Sequence, residues 1–281
     1  MEKILVTTDF SANSKKAIRF AMKLATQKNV DLVFYNVVNI LVRSTPLDQM
    51  YISLDESEMQ KKHQTELEKF IKKIQTEKSF PGVSYNCVAE IGDNVGKQII
   101  NYAEKNDFEY ICTTARGSGV VEKLFGSIAS HLIISSPIPV FVIPKNYRTT
   151  KIHSICYASD IENIDIEIKK AIAFSTLLHT KLKVLHYDYD VNLKFKKDKL
   201  SDIAKKYETE DIMFHYRKLN PIFSLNYHIK KDLKIIKPSL IILFTKQNRK
   251  WFDRLFETSQ TKNISFNAKV PMLVYRKELK K

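Results

Sequence analysis

A chain of 281 residues, 44% of them hydrophobic, suffices for two domains whose cores need no disulfides. Three cysteines, Cys87, Cys112 and Cys156, form no C-x-x-C pair and no spaced Cys/His cluster, which argues against a secreted disulfide scaffold and against a structural zinc site. The net charge of +15 admits an anionic partner, but only eight of the 46 basic residues are arginine and the lysines scatter over helix faces, so the charge reads as a solvated surface and argues against nucleic acid.

The chain opens on Met1-Glu2-Lys3-Ile4, without a basic region and apolar stretch of the secretory kind, and no apolar run approaches the roughly 20 residues of a membrane span. A cytoplasmic protein with no membrane partner is the expectation. Residues 3–8 form a short apolar run ending at Asp9, read as a buried strand. Ser11, Asn13 and Ser14 supply helix-start chemistry, and Ala17, Ile18, Ala21, Leu24 and Ala25 recur at helical spacing. A second strand is predicted over 31–38, a long charged helix over 55–77, and a third strand over 83–90. Val95, Ile99, Ile100 and Ala103 mark the next helix, and 108–113 a fourth strand. A loop carrying Arg116-Gly117-Ser118-Gly119 leads to a helical stripe of Val121, Leu124, Phe125, Ile128 and Leu132, and 139–144 is the fifth strand. Strand and helix alternate and the strands are continuously apolar, which predicts parallel βαβ units with helices on both faces.

The pattern then repeats. Residues 3–9 are echoed by 153–160, Lys15-Lys16-Ala17-Ile18 by Lys169-Lys170-Ala171-Ile172, Glu122-Lys123-Leu124-Phe125 by Asp253-Arg254-Leu255-Phe256, and Pro139-Val140-Phe141-Val142 by Pro271-Met272-Leu273-Val274. Four matches in one order predict two copies of one fold, residues 1–147 and 148–281. The second copy lacks a counterpart of the full long helix, and Tyr187-Asp188-Tyr189-Asp190 with 194–199 read as a surface loop.

The opening Ile4-Leu5-Val6-Thr7-Thr8-Asp9-Phe10-Ser11, with 119–127 and the closing Pro139-Val140-Phe141-Val142, resembles the universal stress protein family, end to end in the first half and more loosely in the second. The resemblance implies two tandem doubly wound, Rossmann-like α/β domains with mostly parallel five-stranded sheets. It also implies closing strands at adjoining edges that make a pseudo-dimer, and a further homodimer. It implies a non-enzymatic stress-response protein. ATP-binding members carry G-x2-G-x9-G-[ST], whose glycines let backbone N–H groups approach phosphates at a helix N-terminus. Carried over, Asp9 and Val37 border the adenosine, and Gly126 and Ser127 match the final Gly-Ser. Thr113 and Arg116 stand at the first two glycine positions, Thr7 replaces a proline, and Gly117 and Gly119 are out of register. Arg116 admits two readings, a cation for a phosphate or a side chain that fills its space. Weak ATP binding is expected in the first domain alone. In the second, Phe244 and Gln247 fall at the glycine positions and Glu257-Thr258 replaces Gly126-Ser127, so that copy is expected to be degenerate.

The alternatives are an ATP-loaded switch or slow ATPase centred on the first domain, and a nucleic-acid or anionic-partner binder. No P-loop, nucleophile elbow or H-E-x-x-H occurs. His186 is a candidate pocket residue and Trp251 a candidate stacking residue, though packing explains either. Asp9 and Asp160 read as cleft carboxylates or helix caps.

Overall fold

The computed structural model describes residues 2–39, 46–77, 80–115, 126–159, 163–188, 201–209, 211–218, 225–245 and 270–277. Two compact units, Met1–Thr149 and Thr150–Lys281, divide it.

The first unit runs β1 (Glu2–Thr7), α1 (Ser14–Ala25), β2 (Val30–Asn39), α2 (Pro46–Glu77), β3 (Tyr85–Gly92), α3 (Val95–Lys105), β4 (Tyr110–Thr114), α4 (Ser127–Ser135) and β5 (Val140–Ile143). All pairings are parallel, in the order β3-β2-β1-β4-β5. Parallel strands need crossovers, and the helices supply them on both faces. Helices α1 and α2 pack together on one face, and α3 and α4 on the other. The apolar spacing of α1 does what it predicts, since Ala17, Ile18, Ala21 and Leu24 are at most 2% exposed. Helix α2 begins earlier than the charge pattern suggests, on Pro46, a residue suited to a first helical turn. It buries Leu67, Ile71 and Ile74, one seam at i, i+4 and i+7.

The second unit runs β6 (Ser154–Ser159), α5 (Ile164–Leu177), β7 (Lys181–Asp188), a helical segment α6 (201–207), β8 (Ile212–Lys218), α7 (Leu225–Ile236), β9 (Leu240–Thr245) and β10 (Met272–Arg276). Its order, β8-β7-β6-β9-β10, reproduces the first, again parallel. The registers fix the correspondence. Ile4 pairs with Tyr110 and Leu32, while Ile155 pairs with Leu240 and Leu182. Thus Thr8 corresponds to Ser159, Asn36 to His186, and Thr114 to Phe244, one position from the alignment of Phe244 with Thr113 that spacing suggests.

Tyr187 and Asp188 are the end of β7, not loop. Tyr187 is 8% exposed, and its hydroxyl donates to Asp232 Oδ2 at 2.9 Å, so this tyrosine is buried with its hydroxyl satisfied.

Candidate functional site

Each strand of the first unit ends at the same edge, and the strand order places a switch point between β1 and β4, where consecutive crossovers leave in opposite directions. Ligands of open parallel sheets bind outside such a point. The last residue of β1, Thr7, and the fourth of β4, Thr113, meet there. Thr7 Oγ1 donates to Thr113 Oγ1 at 3.0 Å, and both side chains are buried. Parallel pairing across β1 and β4 puts the two hydroxyls on one face, the face that carries α3 and α4. Tyr35, paired with Thr7, stacks on Tyr102 of α3 at 4.5 Å. The Tyr35 hydroxyl donates to Glu90 Oε2 at 2.6 Å, and burial, followed by that bond, pushes its pKa up.

Beyond β1 the chain turns sharply. Phe10 adopts φ 59, a left-handed conformation rare for an aromatic residue. Its amide donates to Thr8 Oγ1 at 3.1 Å, and its ring meets Phe70 of α2 edge-on at 5.3 Å. The turn leaves Asp9 exposed, with Oδ1 accepting from the Ser11 amide at 3.1 Å. Asp9 therefore braces its own turn. The start of α1 is served instead by Ser11, whose Oγ accepts from the Ser14 amide at 3.1 Å. The Asn13 side chain makes no cap bond.

Val37 lies near the end of β2, half-buried. Its neighbour Asn36 is the residue that sequence spacing passes over. Asn36 Nδ2 donates to the Thr8 carbonyl at 2.8 Å and so fixes the peptide before Asp9. At the corresponding place His186 Nδ1 meets the Ser159 carbonyl at 2.8 Å. A carbonyl only accepts, so Nδ1 carries the proton. Two different side chains perform one task in the two units.

Gly126 immediately precedes α4 and Ser127 is its first residue, exposed. The Gly126 amide donates to the Ala115 carbonyl at 2.7 Å, closing the loop mouth onto β4. Ser130 is the first residue of α4 whose amide reaches Gly126 O. The amides of residues 127–129 are thus first-turn donors without acceptors inside the helix, suited to an anion. Arg116 and Gly117 lie outside the described residues, as do Asp160, Gln247, Trp251, Glu257 and Thr258. The structure therefore brings Thr7, Thr113, Gly126 and Ser127 to the carboxyl edge, with Asp9 and Val37 on the adjoining strand ends.

The second unit differs at the switch point. By register, Ala158 and Leu243 occupy the positions of Thr7 and Thr113, so the hydroxyl pair is absent there. Its polar residues are elsewhere. Tyr157 donates to Glu167 Oε2 at 2.5 Å, and Lys277 Nζ lies 3.6 Å from Glu167 Oε1, all three side chains being buried.

No group of three or more His, Cys, Asp or Glu side chains capable of holding a metal occurs among the described residues, and none of their helices is long and apolar enough to cross a membrane. The thiols are poorly suited to nucleophilic work. Burial pushes Cys87 and Cys156 up to about 12, and Cys112 is raised as well.

A model of the Universal stress protein family matches residues 1–144. No curated protein matches the chain significantly. Among solved structures, a universal stress protein from Archaeoglobus fulgidus superposes with a TM-score of 0.66 at 15% identity, covering 98% of this chain and 96% of that one. A protein of unknown function from Pseudomonas aeruginosa PAO1 gives 0.58 at 13% identity, covering 98% and 92%. At such identities the likeness is one of fold.

Proposed function

The chain belongs to the universal stress protein family, and from that premise we propose that it serves the stress response by binding rather than by turnover, with a weak adenine-nucleotide site in the first unit and none in the second. The observation that carries this reading is the buried Thr7–Thr113 hydroxyl pair at the switch point, set at the same edge as Gly126 and Ser127. Asp9 and Val37 flank the adenosine in this reading. Arg116 and Gly117 belong to the phosphate side with Thr113, Gly126 and Ser127. Thr113 Oγ1 accepts from Thr7. The side chains at the corresponding positions of the second unit, Ala158 and Leu243, offer a ligand no hydrogen bond.

Weakness follows from two features. Thr113 carries a Cβ where the nucleotide-binding pattern has a glycine, which holds a phosphate further from the backbone. The Gly126 amide is already committed to Ala115. A purely binding role is in keeping with Asp9, whose carboxylate accepts from the Ser11 amide and braces its own turn. A homodimer and a cytoplasmic location belong to the same proposal.

The test is to purify the protein without added nucleotide, denature it and identify any released small molecule by mass spectrometry, then titrate ATP calorimetrically. The expected result is an empty protein that binds added ATP weakly and loses that binding in Thr113→Val. Failure to bind, or binding indifferent to Thr113→Val, refutes the site. Sedimentation velocity checks the dimer, and phosphate release above background overturns the non-enzymatic reading.

A further inference from the structure

The net charge of +15 is unevenly shared. Residues 1–149 carry 19 Lys and Arg against 16 Asp and Glu, a balance of +3, whereas residues 150–281 carry 27 against 15, a balance of +12. Such asymmetry between halves points to an anionic partner for one of them. Only Arg217, Arg249, Arg254 and Arg276 of those 27 are arginine.

Among the described residues, helix α7 carries part of this charge on an exposed face. Its inner face is accounted for, since Ile229, Leu233 and Ile236 pack on Cys156, Leu185 and Tyr187. Its one carboxylate, Asp232, is buried there, accepting from Tyr187 and lying 3.5 Å from Arg217 Nε. Turning the only acid inward leaves an outer crest without negative charge. That crest, opposite the packed residues at 100° per residue, carries Tyr227, Lys231 and Lys234, with Ile235 at its flank and Lys237 just past the helix end. Ile235 is 65% exposed and Tyr227 39% exposed. The correspondingly placed α3 of the first unit mixes Lys97 and Lys105 with Glu104, and it exposes no large hydrophobic residue.

We propose that the outer face of α7 is a docking surface for an anionic lipid bilayer. Lysines are point charges suited to diffuse attraction toward a charged surface, while recognition of individual phosphates and bases favours the arginine fork. An aliphatic side chain standing among lysines gains nothing from a phosphodiester backbone. It gains from the headgroup–acyl boundary, where tyrosine also settles. A helix of 12 residues lies flat over about 18 Å, enough for the crest to meet the surface at once.

The experiment is co-sedimentation of the full chain with phosphatidylcholine vesicles, alone and mixed with phosphatidylglycerol, at low and high salt. Binding to the anionic vesicles alone, weakened by salt, is expected. Lys231→Gln with Lys234→Gln should weaken it by about 25-fold, and Ile235→Ser should weaken it further. Lys69→Gln with Lys72→Gln, which removes the same charge from exposed sites on α2, should leave most of the binding intact. All these positions are exposed, and an unchanged circular dichroism melt confirms that each variant folds. No binding to anionic vesicles at low salt overturns the proposal, as does an equal loss from the α2 variant. Binding of duplex DNA through Lys231 and Lys234, with vesicles left unbound, overturns it in favour of a nucleic-acid surface.

Discussion

Thr7 and Thr113 are 106 residues apart, and their hydroxyls bond in a buried place at the centre of the first unit's carboxyl edge. Thr7 donates to Thr113 Oγ1, with the Cys112 carbonyl a longer second acceptor at 3.5 Å, so removing either hydroxyl breaks the shorter bond in a buried place. Thr7→Val or Thr113→Val should each destabilise the protein by about 1–3 kcal/mol, and the double variant by less than the sum of the two. Chemical denaturation of the three variants reads this directly, and additive losses would mean that the bond contributes nothing. Both residues were legible as candidates from the family's motif spacing, because both stand at positions where that motif has other residues. Their pairing was not legible, because nothing local in either strand specifies its neighbour across a parallel sheet. Asn36 escaped for the same reason. Its task, holding the Thr8 carbonyl, appears only when β2 lies beside β1.

At the scale of elements, close approach decides more than propensity. Gly96, in the first turn of α3, has its missing Cβ position 2.5 Å from His131 Cδ2 of α4. Glycine weakens a helix by about 1 kcal/mol relative to alanine, but here its absent side chain admits the imidazole. Gly96→Ala should therefore destabilise by about 1–3 kcal/mol through overpacking. In a His131→Ala background the same substitution should stabilise by about 1 kcal/mol. An unchanged sign in the two backgrounds would remove the steric explanation. In the second unit, the residue after β10 is held to α5 through charge, by buried Lys277 against Glu167. Lys277→Met should cost about 3–5 kcal/mol by taking its cation away from a buried carboxylate. Adding Glu167→Gln should recover a large part of that loss, which thermal melts of the single and double variants will test. The strands were legible from their apolar runs, since a sheet covered on both faces demands them. The end of β7 was not, because Tyr187-Asp188 has the composition of a turn. The buried Tyr187 hydroxyl finds its acceptor in Asp232, 45 residues further on.

For the whole molecule, the repeat in sequence became a repeat in topology, five parallel strands in one order in each unit. What diverged is the chemistry laid over that frame: hydroxyls against Ala158 and Leu243 at the switch point, and near-neutrality against strong positive charge. The excess charge has a consequence for stability in acid. His215 lies on β8 with its Nε2 buried and without a hydrogen-bond partner among the described residues. Its pKa is lowered from 6.5, first by burial and then by Lys183 and Arg217, against the smaller opposing pull of Asp232 and Glu208. The unfolded chain therefore binds a proton at His215 more readily than the folded one. The stabilisation due to neutral His215 is fully present above pH 6.5 and is lost as pH falls from there through the lower folded value. Urea midpoints measured from pH 7.5 to 5 should fall more steeply for the native protein than for His215→Gln, which cannot titrate. Parallel curves would place the acid sensitivity elsewhere. A steeper fall in the variant would reverse the sign of the argument and require His215 to be stabilised as a cation, against the two basic neighbours that face it.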